Sequence, residues 1–182
     1  MEQAPHNEPV YSQNVLEMLT LANEYTLFVE KSEDYSKEDI LNYMQKIFPI
    51  LYLKACLLPV IDPNNDEANE RYVTGELWEN IFSILRKKFQ KDDEYWYIDN
   101  SDISETDPIR ASLSDNIADI YQDLKDFVIL YQKSSRDAKE NAVYQCNILF
   151  ESHWGYRLIN ALKYIHTLKY KDFYQNEDEM LI

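Results

Sequence analysis

The sequence predicts an all-α protein: a single-domain, bundle-like array of about five helices, kinked near Pro49 and Gly155. Three observations predict it. Apolar residues recur at steps of three and four through most of the chain, capping residues stand ahead of these runs, and nothing repeats at the roughly 20- to 50-residue periods of solenoids. At 182 residues, the chain is long enough for one sizeable core and short for two.

A first helix is predicted over residues 12–31, where Val15, Leu16, Leu19, Ala22, Thr26 and Val29 fall on one face. Ser36 starts a second, with Asp39 in the usual Glu/Gln place of a capping box and Ile40, Leu41, Tyr43, Met44 and Ile47 following. Pro49 removes a backbone donor inside this run, yet Ile50, Leu51, Leu53, Ala55, Cys56 and Leu57 continue it on nearly every side. That pattern predicts a kinked, deeply buried helix ending at Pro59. Thr74 caps a third helix carrying Leu77, Ile81, Phe82, Leu85 and Phe89, and its basic end "RKKF" suits the negative pole of the helix dipole. Ser112 or Ser114 opens a fourth, the cleanest amphipathic segment, with Leu113, Ile117, Ile120, Tyr121, Leu124, Phe127, Val128 and Tyr131 in register.

A fifth helical segment runs from a cap at Ser134 or Ser135 to about Lys171. Before Gly155 its apolar stripe is Ala142, Val143, Cys146, Leu149, Phe150 and His153; after Gly155 it is Leu158, Ile159, Leu162 and Ile165. The two stripes point roughly 160° apart at about 100° per residue, so one straight helix cannot bury both against the same neighbour. Gly155 therefore reads first as a joint and second as the floor of a site. Around these helices, residues 1–10 read as a flexible arm, 11–171 as the helical domain and 172–182 as an acidic tail.

The balance of 18 basic to 33 acidic residues gives a net charge of -15, which repels phosphate backbones and anionic lipid and suits basic partners. No direct nucleic-acid binding and no membrane association are expected. The opening "MEQAPHNEP" lacks the features of a secretory signal, and "IFPILYLKACLLPVI" is too short and interrupted for a span. Cys56 and Cys146 fit two buried, reduced thiols, so a cytoplasmic protein is expected.

With only two glycines in the chain, the glycine-rich phosphate loops and the G-x-S-x-G nucleophile elbow are excluded. No histidine stands in an E-x-x-H pair. Asp62, Asn64 and Asp66 begin like a calcium loop, but Glu67 and Val73 occupy the positions that need Gly and a bidentate Glu. Cys146 and His153 lie two helical turns apart, too far to share a zinc ion without help from a bend. Neither metal nor cofactor is expected.

Two long connections, 59–73 and 91–111, interrupt the helices. The second surrounds Tyr95, Trp96 and Tyr97 with acids; its rings either plug one end of the bundle, in a short extended piece, or meet a partner. On the fourth helix, Asp115, Asp119 and Asp126 form an acidic line with Asp123 nearer the edge. The helical wheel puts Asp119 and Asp126 opposite the apolar stripe, where they should be hydrated. His153 reads as a hydrogen-bonded core histidine, or as one member, with Trp154, Arg157 and Asn160, of a polar pocket at the bend in which Arg157 is a fork for carboxylate or phosphate.

The runs "LANEYTLFVEK", "YMQKIFPILYLKACLLP", "ADIYQDLKDFVILY" and "FESHWGYRLINAL" together resemble an uncharacterised bacterial family catalogued as domain of unknown function 5063. The likeness covers Tyr11 to about Tyr170. It implies an all-helical bacterial cytosolic protein and supplies no reaction, ligand or catalytic residue. From the residues, the leading expectation is a non-enzymatic module that holds a basic protein partner through Tyr95, Trp96, Tyr97, Asp119, Asp123 and Asp126. The alternatives are a small-ligand-binding protein or enzyme with its pocket at the Gly155 bend, and a nucleic-acid mimic that inhibits a DNA- or RNA-handling protein. No catalytic residue is assigned, and the sequence leaves the oligomeric state open.

Overall fold

The structure, a computed structural model, describes residues 8–65, 68–98 and 107–180, with 172–180 as backbone only. A short turn, Pro9–Tyr11, leads into α1, Gln13–Glu30. Helix α2, Lys37–Ala55, starts from a complete capping box: Ser36 Oγ accepts from the Asp39 amide at 3.1 Å and Asp39 Oδ2 accepts from the Ser36 amide at 3.2 Å. Asp thus does the work of the commoner Glu. Pro49 sits inside this helix, which ends at Ala55 rather than at Pro59. Helix α3, Gly75–Phe89, is capped by Thr74, and Lys88 in its last turn donates to the carbonyls of Glu33 and Tyr35 at 2.6 and 2.7 Å.

The 91–111 connection contains a hairpin of which the sequence predicted only one extended piece. Strand β1, Glu94–Tyr97, pairs antiparallel with β2, Ile109–Ser112, with Tyr95 opposite Ala111. Ser112 ends β2 and caps α4, Leu113–Tyr131, accepting from the Asp115 amide at 3.2 Å. The last helical segment divides into α5, Arg136–Leu149, a π-helical turn, Phe150–Trp154, and α6, Gly155–Met180.

Helix α4 is the axis of the molecule, in contact with α1, α3, α5 and α6, while α2 packs on α1 and α6. Fifteen of its 19 residues are buried, so it is no surface helix with one wet face. Tyrosines fill much of the space around it with their hydroxyls bonded: Tyr25 donates to Ile117 O, Tyr121 to Glu30 and Tyr131 to Val10 O, each at 2.9 Å. A buried ring contributes about 1.5–3 kcal/mol, and its satisfied hydroxyl avoids the penalty that would cancel it.

Two boundary expectations and one burial expectation change. Residues 1–7 of the expected arm lie outside the described residues, but Val10 is 2% exposed and belongs to the core. The backbone of 172–180 continues α6 as helix rather than leaving it as a tail. Cys56, just past the end of α2, is exposed; only Cys146 is buried. Among the described residues, no helix is long and apolar enough to cross a membrane.

Candidate functional site

The π-helical turn explains Gly155. A Cβ on this residue would stand 2.3 Å from the carbonyl oxygen of Phe150 and 2.9 Å from its ring, so only hydrogen fits. Gly155 keeps ordinary helical angles, φ -63 and ψ -44; its role is space, and no unusual backbone conformation is involved. A wider turn also takes back about one residue of rotation, roughly 100°, which brings the two divergent stripes toward a common core. Trp154, completely buried, points into that core and donates to Cys146 O at 3.2 Å. His153 and Arg157, one turn apart across the joint, face α4.

There they meet the acidic line. Arg157 Nη1 contacts Asp115 Oδ2 at 2.9 Å and Asn116 Oδ1 at 3.2 Å, and Nη2 contacts Asp119 Oδ2 at 2.8 Å. Its Nε donates to His153 Nε2 at 3.0 Å. That nitrogen is therefore an acceptor, and the imidazole carries its proton on Nδ1, which donates to Asp123 Oδ2 at 2.6 Å. Trp78 Nε1 donates to Asp119 Oδ1 at 2.8 Å. Arg71, from the 59–73 connection, approaches Asp123 at 3.4 Å and Asp126 at 3.8 Å, while Asp126 Oδ1 accepts from the amides of Tyr72 and Val73 at 2.7 and 2.9 Å.

Asp119, Asp123 and Asp126 are accordingly buried, at 9, 4 and 7% exposure, and not hydrated as the helical wheel predicted. The wheel finds the face opposite the hydrophobic stripe; it cannot know that the π-turn and residues 71–73 cover that face. Burial pushes the Asp119 carboxyl above the usual carboxylate range, with Arg157 pulling the other way. Burial raises Asp126 likewise, partly offset by the two backbone donors. These carboxylates are unavailable to a docking protein surface.

The hairpin forms the opposite wall. Asp93, 1% exposed, ties it to the start of α4: Oδ1 accepts from the Ser114 amide and Oδ2 from Ser112 Oγ, both at 2.8 Å. Tyr95 stacks on Tyr164 with ring centres 4.4 Å apart, and its hydroxyl accepts from Asn116 Nδ2 at 2.6 Å. Between this wall and the π-turn lies an open cleft of about 560 Å³, lined by Tyr95, Tyr97, Asp115, Asn116, His153, Arg157, Asn160, Arg110 and Tyr156 among others. Of the pocket residues predicted from sequence, His153, Arg157 and Asn160 line it and Trp154 does not. Of the residues predicted to meet a partner, Tyr95 and Tyr97 line the cleft, Trp96 is 67% exposed beside it, and the three aspartates are buried and do not line it.

Arg157 is no open fork, because every nitrogen of its guanidinium is committed. Asn116, Asp93, Trp78 and Arg71 were not foreseen as part of this network. Asn116 had a weak signal in its place one turn past a serine cap; the others come from segments that only folding brings together. Among the described residues, no group of three or more His, Cys, Asp or Glu side chains is arranged to hold a metal ion.

Comparison with known proteins points to one family. A family model described as domain of unknown function (DUF5063) matches residues 9–171. The chain is similar to protein BF1032 from Bacteroides fragilis, whose crystal structure superposes with a TM-score of 0.80 at 31% identity, covering 90% of this chain and 96% of that one. No curated protein matches.

Proposed function

We propose that this chain, which belongs to the family described as domain of unknown function (DUF5063), holds a small polar molecule in the cleft between the hairpin and the π-turn. The observation that carries this reading is the cleft itself: about 560 Å³, within the range of small-molecule sites, floored by a bonded network of Asn116, Arg157, His153 and Asp115. Two further features support it. The floor is preorganised by the carboxylates beneath, and a π-turn at the mouth of a site is a frequent functional device.

The test is native mass spectrometry of the full chain after incubation with a bacterial small-molecule extract, beside an Asn160→Trp variant that fills the cleft. Retention by the wild type and loss in the variant is the expected result. Equal retention by both would move the binding elsewhere, and no retention by either would remove the reading.

A second reading keeps the interaction module. Trp96, Ile98 and Ile109 are exposed on the hairpin at 67, 55 and 39%, on a chain of charge -15, which favours a basic partner that also contacts these apolar side chains. Retention of a basic protein by the wild type and not by Trp96→Ala would support it.

A further inference from the structure

We infer that the ligand of the cleft is a protonated amine with an apolar body, its ammonium on Asp115 and its body running past Tyr97 to Trp96. This rests on the small-molecule reading above and specifies the chemistry of the same site.

The first argument is which charges remain uncommitted. Arg157 is bonded through each of its nitrogens to Asp115, Asn116, Asp119 or His153, and Arg110, the other cation lining the cleft, is paired with Glu94. Each guanidinium therefore already carries a carboxylate counter-charge. Asp115 gives Oδ2 to Arg157 and stays 39% exposed, with no partner for Oδ1 among the described residues. The second argument is the local balance. Asp115 and Asp119 share the single guanidinium of Arg157, so two carboxylates face one cation at the floor of the cleft. A cation placed at Asp115 offsets that local excess.

The third argument concerns the rest of the ligand. A groove of about 320 Å³, lined by Trp96, Lys163, Tyr164 and Thr167, adjoins the cleft, with Tyr95, Tyr97 and Asn160 lining both. Its rings suit a hydrocarbon or aryl body, and Tyr97, between the two spaces, suits the junction with an ammonium through its ring face. Asn160 stands at that junction with an amide oxygen able to accept a second N–H.

The experiment uses one carbon skeleton in three charge states: hexylamine, hexanol and hexanoate, titrated into the full chain and followed by amide NMR shifts. Hexylamine is expected to bind about 10-fold more tightly than hexanol, with hexanoate weakest and the shifts confined to residues lining the two spaces. Asp115→Asn, which keeps an oxygen for Arg157, should erase the preference for the amine. Trp96→Ala, at an exposed position, should weaken hexylamine and hexanol together. Hexanoate binding in the cleft as tightly as hexylamine would overturn the amine assignment and leave the small-molecule reading standing. No cleft shifts with any of the three, while the extract experiment still shows retention, would also overturn the amine assignment alone. Loss of both signals would remove the two together.

Discussion

Arg157 Nε donates to His153 Nε2 at 3.0 Å, and this single bond decides the protonation of the imidazole. With Nε2 accepting, the ring is neutral, its proton is on Nδ1, and Asp123 receives it. Arg157→Lys keeps the charge but replaces a planar fork by one ammonium that cannot reach Asp115, Asp119, Asn116 and His153 together. The expected loss is roughly 1–3 kcal/mol in urea unfolding. Nitrogen NMR of the histidine should show mixed tautomers; a ring still protonated only on Nδ1 would mean that Asp123 alone fixes it.

Gly155→Ala separates helix propensity from packing. Propensity alone favours Ala by about 1 kcal/mol. The Cβ, however, meets the Phe150 carbonyl at 2.3 Å, and backbone cannot yield as a side-chain tip can. The variant is expected to be less stable by about 1–3 kcal/mol, the usual cost of overpacking. A rise in melting temperature would contradict the close approach.

Asp126→Asn tests the buried carboxylate through pH. Burial raises the Asp126 pKa, so its contribution to stability is fully present below the unfolded carboxylate range and is lost as pH rises through the folded value. Near neutrality the wild type therefore carries a penalty that the variant lacks. The stability of the variant relative to wild type should be more favourable near neutrality than at about pH 3, read from urea midpoints at the two pH values. The opposite trend would mean that Arg71 dominates over burial.

Asp93→Ala removes the acceptors of the Ser114 amide and the Ser112 hydroxyl. Leaving a buried donor unpaired costs about 1–3 kcal/mol. Amide exchange should accelerate in Glu94–Tyr97 and Ile109–Ser112 while the α1–α2 pairing keeps its protection. Unchanged exchange in the hairpin would show that the Tyr95–Tyr164 stack holds it unaided.

The two cysteines should differ in reactivity. Cys56 is exposed; Cys146 is buried, and burial pushes its thiol well above the ordinary range. One fast thiol in the native protein, and a second only after unfolding, is the expected result with a thiol-specific reagent. Cys56→Ser should abolish the fast phase.

Helix identity was legible because its causes are local. Ser36 with Asp39, Thr74 with Leu77, and Ser112 with Asp115 each cap a helix within a few residues of chain, and the apolar period between them is a property of the sequence. The discontinuity at Gly155 was legible for the same reason, since two stripes out of phase require a change of helical rotation between them. Its form, a π-turn with Phe150 against the glycine, was not, because that depends on which neighbours the two halves meet. Likewise β1 could be suspected from its aromatics, but β2 becomes a strand only by pairing with it.

By itself the sequence determined the fold class, the caps at Ser36, Thr74 and Ser112, the joint at Gly155, and the presence of His153, Arg157 and Asn160 beside it. Tertiary structure alone decided that α4 is the central helix and that Asp119, Asp123 and Asp126 lie inside rather than on a wet face. The physical reason is that a helix has a polar side by composition, but whether water or protein covers that side depends on segments distant in sequence. Arg71, Trp78 and His153 reach those carboxylates from three such segments, and they turn what reads as a solvated acidic line into a buried, bonded one.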